Sequence, residues 1–144
     1  MPFCTHDPNV RNDWLTIGAA GALQRHTAER PWTTRLLGNT VTAWRGADGQ
    51  AIAQADDRPL PVQERYGYLW VWTGDGPQRP LFALPEFDEP GRRIVDCGGI
   101  GVATSGLRVV ENFLDMGHFP YIHTGTLGKV PHTEVAPYRV QIDP

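Results

Sequence analysis

Along the first half of the chain, apolar and polar residues alternate in short runs parted by turn residues. "DWLTIGAAGALQRH" (13–26) holds a short strand and a turn. Thr40, Thr42 and Trp44 alternate with Val41, Ala43 and Arg45, and "ADG" at 47–49 is a hairpin signal between two β-forming runs. "DDRPLP" (56–61) reads as a linker. "VQERYGYLWVWTGD" (62–75) is the strongest strand signal, dense in aromatic and β-branched residues. Trp70 and Trp72, two apart, face one side of that strand as core side chains, with Trp44 a further candidate. "PQRPLFALPEFDEPG" (77–91) has prolines at 77, 80, 85 and 90. It cannot continue as a helix or a central strand, so it reads as an extended connector and a subdomain boundary.

The period then changes. Leu107, Val110, Phe113 and Leu114 recur at helical spacing and predict one helix over 106–119. The flanking runs 92–104 and 135–143 read as strands. Together these patterns give a β-rich α+β fold, with a β subdomain over 1–85 and a helix-on-antiparallel-sheet opening over 86–144. The 144-residue length suits one domain or a compact pair, and 16 glycines and 13 prolines favour short strands over long helices.

Charge and cysteine usage narrow the function classes. Net charge is −3 without a Lys/Arg run, which points away from nucleic acid and anionic membrane surfaces. No apolar run approaches the roughly 20 residues that span a bilayer. The N-terminus lacks an apolar signal core, so cytoplasm is the expected compartment. Cys4 and Cys97 alone make no disulfide scaffold. There is no G-x-S-x-G, P-loop or G-x-G-x-x-G. Asp56/Asp57 and Glu86/Asp88/Glu89 read as solvated carboxylates, and His132 as a surface residue.

"ENFLDMGHFPYIHTG" (111–125) carries the chemistry. On a continuous helix Glu111, Asp115 and His118 share one face. His123, five positions beyond His118, would lie roughly 140° around that helix at about 100° per residue. The two histidines reach one metal only if the helix breaks between them, and Gly117 and Pro120 are suited to break it. Neutral imidazole suits divalent iron, zinc and copper, and Asp115 could orient His118 through its second nitrogen. A helix-end cap or a solvated histidine pair is the alternative reading of the spacing.

The wording of "ENFLDMGHFPYIHTGTLG" closely resembles the mononuclear-iron motif of Rieske non-heme iron oxygenases, the ring-hydroxylating dioxygenases and related demethylases. "VRNDWLTIG", "TTRLLGNTVTAWRGADGQ", "LPVQERYGYLWVWTGD" and "LPEFDEPG" resemble other segments of that family, in its order. The resemblance implies that His118 and His123 are ligands of a mononuclear Fe(II). It implies that Asp115 links this iron electronically to a neighbouring subunit's Rieske cluster, and that Asn112 lines the iron pocket. A two-histidine, one-carboxylate triad leaves positions open for dioxygen and substrate. On this resemblance, 1–85 is a reduced Rieske-like subdomain and 86–144 the N-terminal part of a mononuclear-iron catalytic domain.

The family's cluster needs Cys-x-His and Cys-x-x-His, two thiolates on one iron and two imidazoles on the other. "QAIAQADDRPL" (50–60), where these belong, has neither residue, so no 2Fe-2S cluster is expected on this chain. "CTH" (4–6) imitates one half at the wrong end. The family's third iron ligand is a downstream aspartate, which neither Glu134 nor Asp143 matches. Three functions follow as expectations. The first is an oxygenase subunit or fragment with a partial iron site, fed electrons by a Rieske or ferredoxin-type donor and acting on a small organic substrate. The second is a non-catalytic partner of a longer oxygenase chain, and the third an inactive gene remnant. Self-association or binding to a longer oxygenase subunit is expected in either of the first two.

Overall fold

A computed structural model describes residues 7–142. Cys4, His6 and Asp143 lie outside the described residues. The chain forms two compact units, Met1–Gly99 and Ile100–Pro144.

The first unit is built from two antiparallel sheets. Strands β2 (Trp32–Leu36), β3 (Asn39–Arg45), β4 (Ala51–Ala55) and β5 (Arg58–Leu60) lie in the order β2-β3-β4-β5. Strands β1 (Trp14–Ala19), β6 (Val62–Arg65) and β7 (Tyr68–Trp72) lie in the order β1-β7-β6. Alternation decides which side chains turn inward. Val41 and Ala43 of β3, Ala53 and Ala55 of β4, and Leu69 and Val71 of β7 are all buried, in one cluster with Leu23. Leu23 comes from a 3-10 turn over Ala20–Arg25, and Thr40 and Ile52 face out.

Two expected elements resolve differently. The 62–75 run is a hairpin, because Tyr66 and Gly67 both take positive φ (58° and 78°) and reverse the chain between β6 and β7. The 56–61 stretch is not a linker. Asp56 and Asp57 (φ 47° and 62°) turn β4 into β5, and Asp56 accepts a 2.9 Å bond from the Asn39 side chain. Paired positive-φ residues match the twist of two-residue hairpins, and aspartate tolerates that region well.

A second cluster joins Trp14, Trp72 and Leu81, so the partner of Trp72 is Trp14, not Trp44. Trp14 and Trp72 are direct partners in the β1–β7 ladder, with ring centroids 5.7 Å apart at 70°. The proline-rich connector packs on this sheet. Phe82 stacks on Tyr66 and meets Trp70 edge-on, and the Tyr66 hydroxyl donates to the Phe82 carbonyl at 2.9 Å. Asp96 holds the Tyr68 hydroxyl at 3.1 Å, and the compact unit continues to Gly99.

The second unit holds helix α2 (Gly106–Leu114) and the single turn α3 (Phe119–Ile122). Helix α1 (Pro8–Arg11) is a one-turn element of the first unit. The helix expected over 106–119 stops at Leu114. Asp115 caps it in an extended conformation and accepts the Gly117 N–H at 2.8 Å, diverting the chain. No strand forms over 92–104 or 135–142. A β-forming run becomes a strand only when a neighbour completes its ladder, and none does so here among the described residues. The apolar stripe of α2 stays uncovered: Leu107 is 78% and Phe113 76% exposed. No helix of the described residues is long and apolar enough to cross a membrane.

Candidate metal centre

The backbone between Leu114 and Gly128 decides where the histidines lie. Asp115 ends α2, its N–H donating to the Glu111 carbonyl at 2.9 Å. His118 is the N-cap of α3 and its carbonyl accepts the Tyr121 and Ile122 N–H groups. His123 is the C-cap of the same turn. Its N–H donates to the Phe119 carbonyl at 3.0 Å, and its carbonyl accepts the Thr126 and Leu127 N–H groups. The helix break therefore falls before His118, not between the histidines. One short turn, left at its end by a non-helical His123 (φ −107°, ψ 33°), carries both.

The two imidazoles come together, with centroids 5.2 Å apart and planes at 62°. Phe119 meets both rings edge-on, at 4.8 Å from His118 and 5.9 Å from His123. Asp115 Oδ2 lies 3.3 Å from His118 Nδ1. This is ion-pair distance without hydrogen-bond alignment, and Nδ1 is a buried nitrogen with no hydrogen-bond partner. Asn112 is exposed on α2, and Glu111 pairs with Arg108 at 2.6 Å. Because α2 ends early, Glu111, Asp115 and His118 do not share a helical face.

This geometry fits two ligands of one divalent ion. With metal–nitrogen bonds of about 2.1 Å, two imidazole centroids at right-angled to tetrahedral positions stand roughly 4.5–5.5 Å apart. Asp115 Oδ2 stands 3.3 Å from His118 Nδ1, which leaves Nε2 as the ring nitrogen available to a metal. Among the described residues no group of three His, Cys, Asp or Glu side chains converges on one point. Two imidazoles are what the described residues bring together here.

Gly128 fixes the turn from outside. A Cβ at this position would lie 2.9 Å from Pro120 Cα and 3.0 Å from Pro120 N, so only glycine lets the 124–128 loop close on α3. Gly125 N–H donates to the Gly128 carbonyl at 2.7 Å and completes the closure. The sequence signal was the repeated glycine of "TGTLG", which the motif reading left unused.

An open cleft of about 640 Å³ lies beside the turn, walled by Phe113, Met116, Phe119, Leu127, Val135 and Val140 among others. Its ionisable or hydroxyl side chains are His132, Glu134 and Tyr138. His132 is exposed, as the surface reading expects, but it also lines this cleft. Phe119 belongs both to the cleft wall and to the contacts of the histidine pair.

The comparisons with known proteins agree on one kind of relative. Residues 102–144 match the family of the vanillate O-demethylase oxygenase C-terminal domain. A probable methylxanthine N7-demethylase of Pseudomonas sp. (strain TJI-51) is 47% identical over 136 residues, 93% of this chain and 46% of its own length. The oxygenase component of a dicamba O-demethylase from Stenotrophomonas maltophilia is 34% identical over 80 residues, 53% of this chain and 23% of its own length. A vanillate O-demethylase oxygenase subunit of Pseudomonas sp. (strain ATCC 19151) is 28% identical over 74 residues, 50% of this chain and 22% of its own length. The chain spans less than half the length of each of these relatives.

Proposed function

Since this chain belongs to the Rieske non-heme iron oxygenases, we propose that it is the part of an oxidative demethylase or hydroxylase that contributes two imidazoles to a mononuclear iron. The observation that carries this reading is the pair of rings at the two ends of α3, 5.2 Å apart, with the Asp115 carboxylate 3.3 Å from His118. A bound iron would supply dioxygen activation, drawing two electrons and two protons from a donor for each oxygen atom inserted into a substrate C–H bond and each water released.

The rest is the work of this chain's own residues. α3 holds the two rings at a fixed separation, and the edge of Phe119 limits their rotation. Asp115 orients His118 and is the group nearest the pair through which an electron donor could couple. Residues 51–60 form a tight hairpin without Cys or His, so in this reading electrons come from a Rieske or ferredoxin-type cluster on another polypeptide. A further carboxylate ligand comes from outside the pair, and the exposed stripe of α2 favours association with a second copy or a longer oxygenase chain. The stripe also supports a second reading, a non-catalytic partner of such a chain.

Substrates named for the relatives differ in charge. Vanillate and dicamba are aromatic acids, whereas a methylxanthine is an uncharged fused ring system. This chain acts in the same general class, on a small aromatic molecule.

Cobalt(II) titration tests the metal reading, because its visible absorption reports ligand field directly. Wild type is expected to bind Co(II) and His118→Ala to lose binding. Unchanged affinity in His118→Ala, with the fold intact by circular dichroism, overturns it. Addition of a full-length oxygenase subunit separates the two readings: oxygen consumption that requires His118 supports the first, and association without any such requirement supports the second.

A further inference from the structure

Residues 77–91 belong to the first unit but join neither of its sheets. The prolines at 77, 80, 85 and 90 keep this connector out of a ladder. Among the described residues its main-chain hydrogen bonds are local ones, such as Phe87 to Leu84 and Asp88 to Pro85. Side chains therefore hold it to the sheet. Leu81 is buried with Trp14 and Trp72, whereas Phe82 is 51% exposed and Leu84 is exposed as well.

Tyr66 grips the exposed part. Its ring stacks on Phe82 with centroids 5.5 Å apart and meets Phe87 edge-on at 5.2 Å. Its hydroxyl donates to the Phe82 carbonyl at 2.9 Å and accepts the Leu84 N–H at 2.8 Å. The Arg65 guanidinium lies over the ring, 4.8 Å from its centre. The backbone of the same residue is strained, since a φ of 58° is an outlier for a bulky side chain. A two-residue turn with positive φ at both central positions favours Asn-Gly, yet Tyr66-Gly67 fills that place between Arg65 and Tyr68. Asparagine would ease the turn, but it has neither the ring nor the phenolic hydroxyl. The turn gives up its local optimum for a side chain that holds the connector. Strain of this kind persists only while the surrounding contacts over-determine it.

We propose that residues 82–87 form a releasable strap and that Tyr66 is its clasp, so that undocking of the strap and relaxation of the β6–β7 turn are one two-state event. Segments held by few, half-exposed contacts open below the free energy of global unfolding. Release breaks the edge contact of Phe82 with Trp70, uncovers the Tyr66 and Trp70 rings, and leaves the anchor at Leu81 in place. The device lies within the first unit and uses no residue of the histidine turn, so it stands apart from the iron reading.

Hydrogen exchange of the whole chain, followed residue by residue by NMR, tests this. In the wild type the Leu84 amide should be at least about tenfold less protected than that of Val71, which is fully buried in β7. Tyr66→Asn should speed Leu84 further and leave Val71 unchanged. Phe82→Ala should speed the amides of Arg65 and Tyr68, which flank the turn, about tenfold in the wild type and less than about twofold in Tyr66→Asn, where the clasp that couples strap to turn is already gone. Equal protection of Leu84 and Val71 in the wild type overturns the proposal, and that comparison needs no variant to fold. Equal acceleration of Leu84 and Val71 in Tyr66→Asn overturns it too, as does an effect of Phe82→Ala on the turn amides that is the same in both backgrounds or absent from both.

Discussion

Gly128 presses directly on the backbone of Pro120, where an added Cβ would sit 2.9 Å from the proline Cα. Pro120 lies inside the turn that carries both histidines, so this contact sets their spacing. Gly128→Ala should cost about 1–3 kcal/mol through overpacking, as the loop and α3 move apart. The same change should weaken Co(II) binding although it touches no ligand. Thermal unfolding and cobalt titration read the two effects, and wild-type values in both would refute this role for Gly128.

Asp115→Asn keeps the shape of the side chain and its acceptor oxygen, but removes the charge beside His118 Nδ1. Loss of such a partner typically lowers metal affinity 10–100-fold. Competition titration with a chelator should place the variant in that range, between wild type and His118→Ala. An affinity equal to wild type would mean that the 3.3 Å approach has no bearing on the ligand.

Leu69 tests the β core. It is fully buried in β7, opposite Glu64 on β6 and in the cluster with Val41 and Val71. Leu69→Ala should destabilise the first unit by about 2–5 kcal/mol. Denaturant unfolding followed by tryptophan fluorescence measures it, and a loss below 1 kcal/mol would contradict the packing described.

Tyr68 gives a signed pH dependence. Its hydrogen bond to the Asp96 carboxylate, reinforced by that charge, raises its pKa above the usual tyrosine value. A group with a raised folded pKa contributes stability that is complete below the unfolded value, about 10, and is lost as pH rises through the folded one. Ultraviolet titration of phenolate should therefore show a late-ionising tyrosine that Tyr68→Phe removes. A titration of unchanged shape in that variant would assign the late component elsewhere.

Reduced protein should give no Rieske-type electron paramagnetic resonance signal. Residues 50–61 hold no Cys or His, and 51–60 turn back as a hairpin at Asp56 and Asp57. A signal near one cluster per chain would overturn this.

Alternation made the inward set of β3 and β7 legible from sequence, because a half-buried strand writes its two faces in alternate letters. Hairpin turns were harder. Asn-Gly or Asp-Gly would have announced them, whereas Leu37-Gly38, Asp56-Asp57 and Tyr66-Gly67 hide the reversal in ordinary residues. The strands expected over 92–104 and 135–143 failed for another reason: strand formation depends on a neighbour that local sequence does not specify. At the site, the histidine pair and Asp115 were readable from the motif. Where the helix broke was not, since Asp115 ends α2 through a side-chain bond to Gly117 that competes with helix propagation. Glu134 and Tyr138 carried no motif at all, and only the folded loop places them on a common wall.

The edge-on meeting of Trp14 and Trp72 also has an optical consequence. Two indoles held 5.7 Å apart at 70° couple their electronic transitions, and the coupled pair should give a split circular-dichroism band that neither ring has alone. β1 and β7 stand far apart along the chain, so the band exists only once these two strands have paired. The protein thus carries its own reporter of sheet closure, with no label attached, and either Trp14→Phe or Trp72→Phe would silence it.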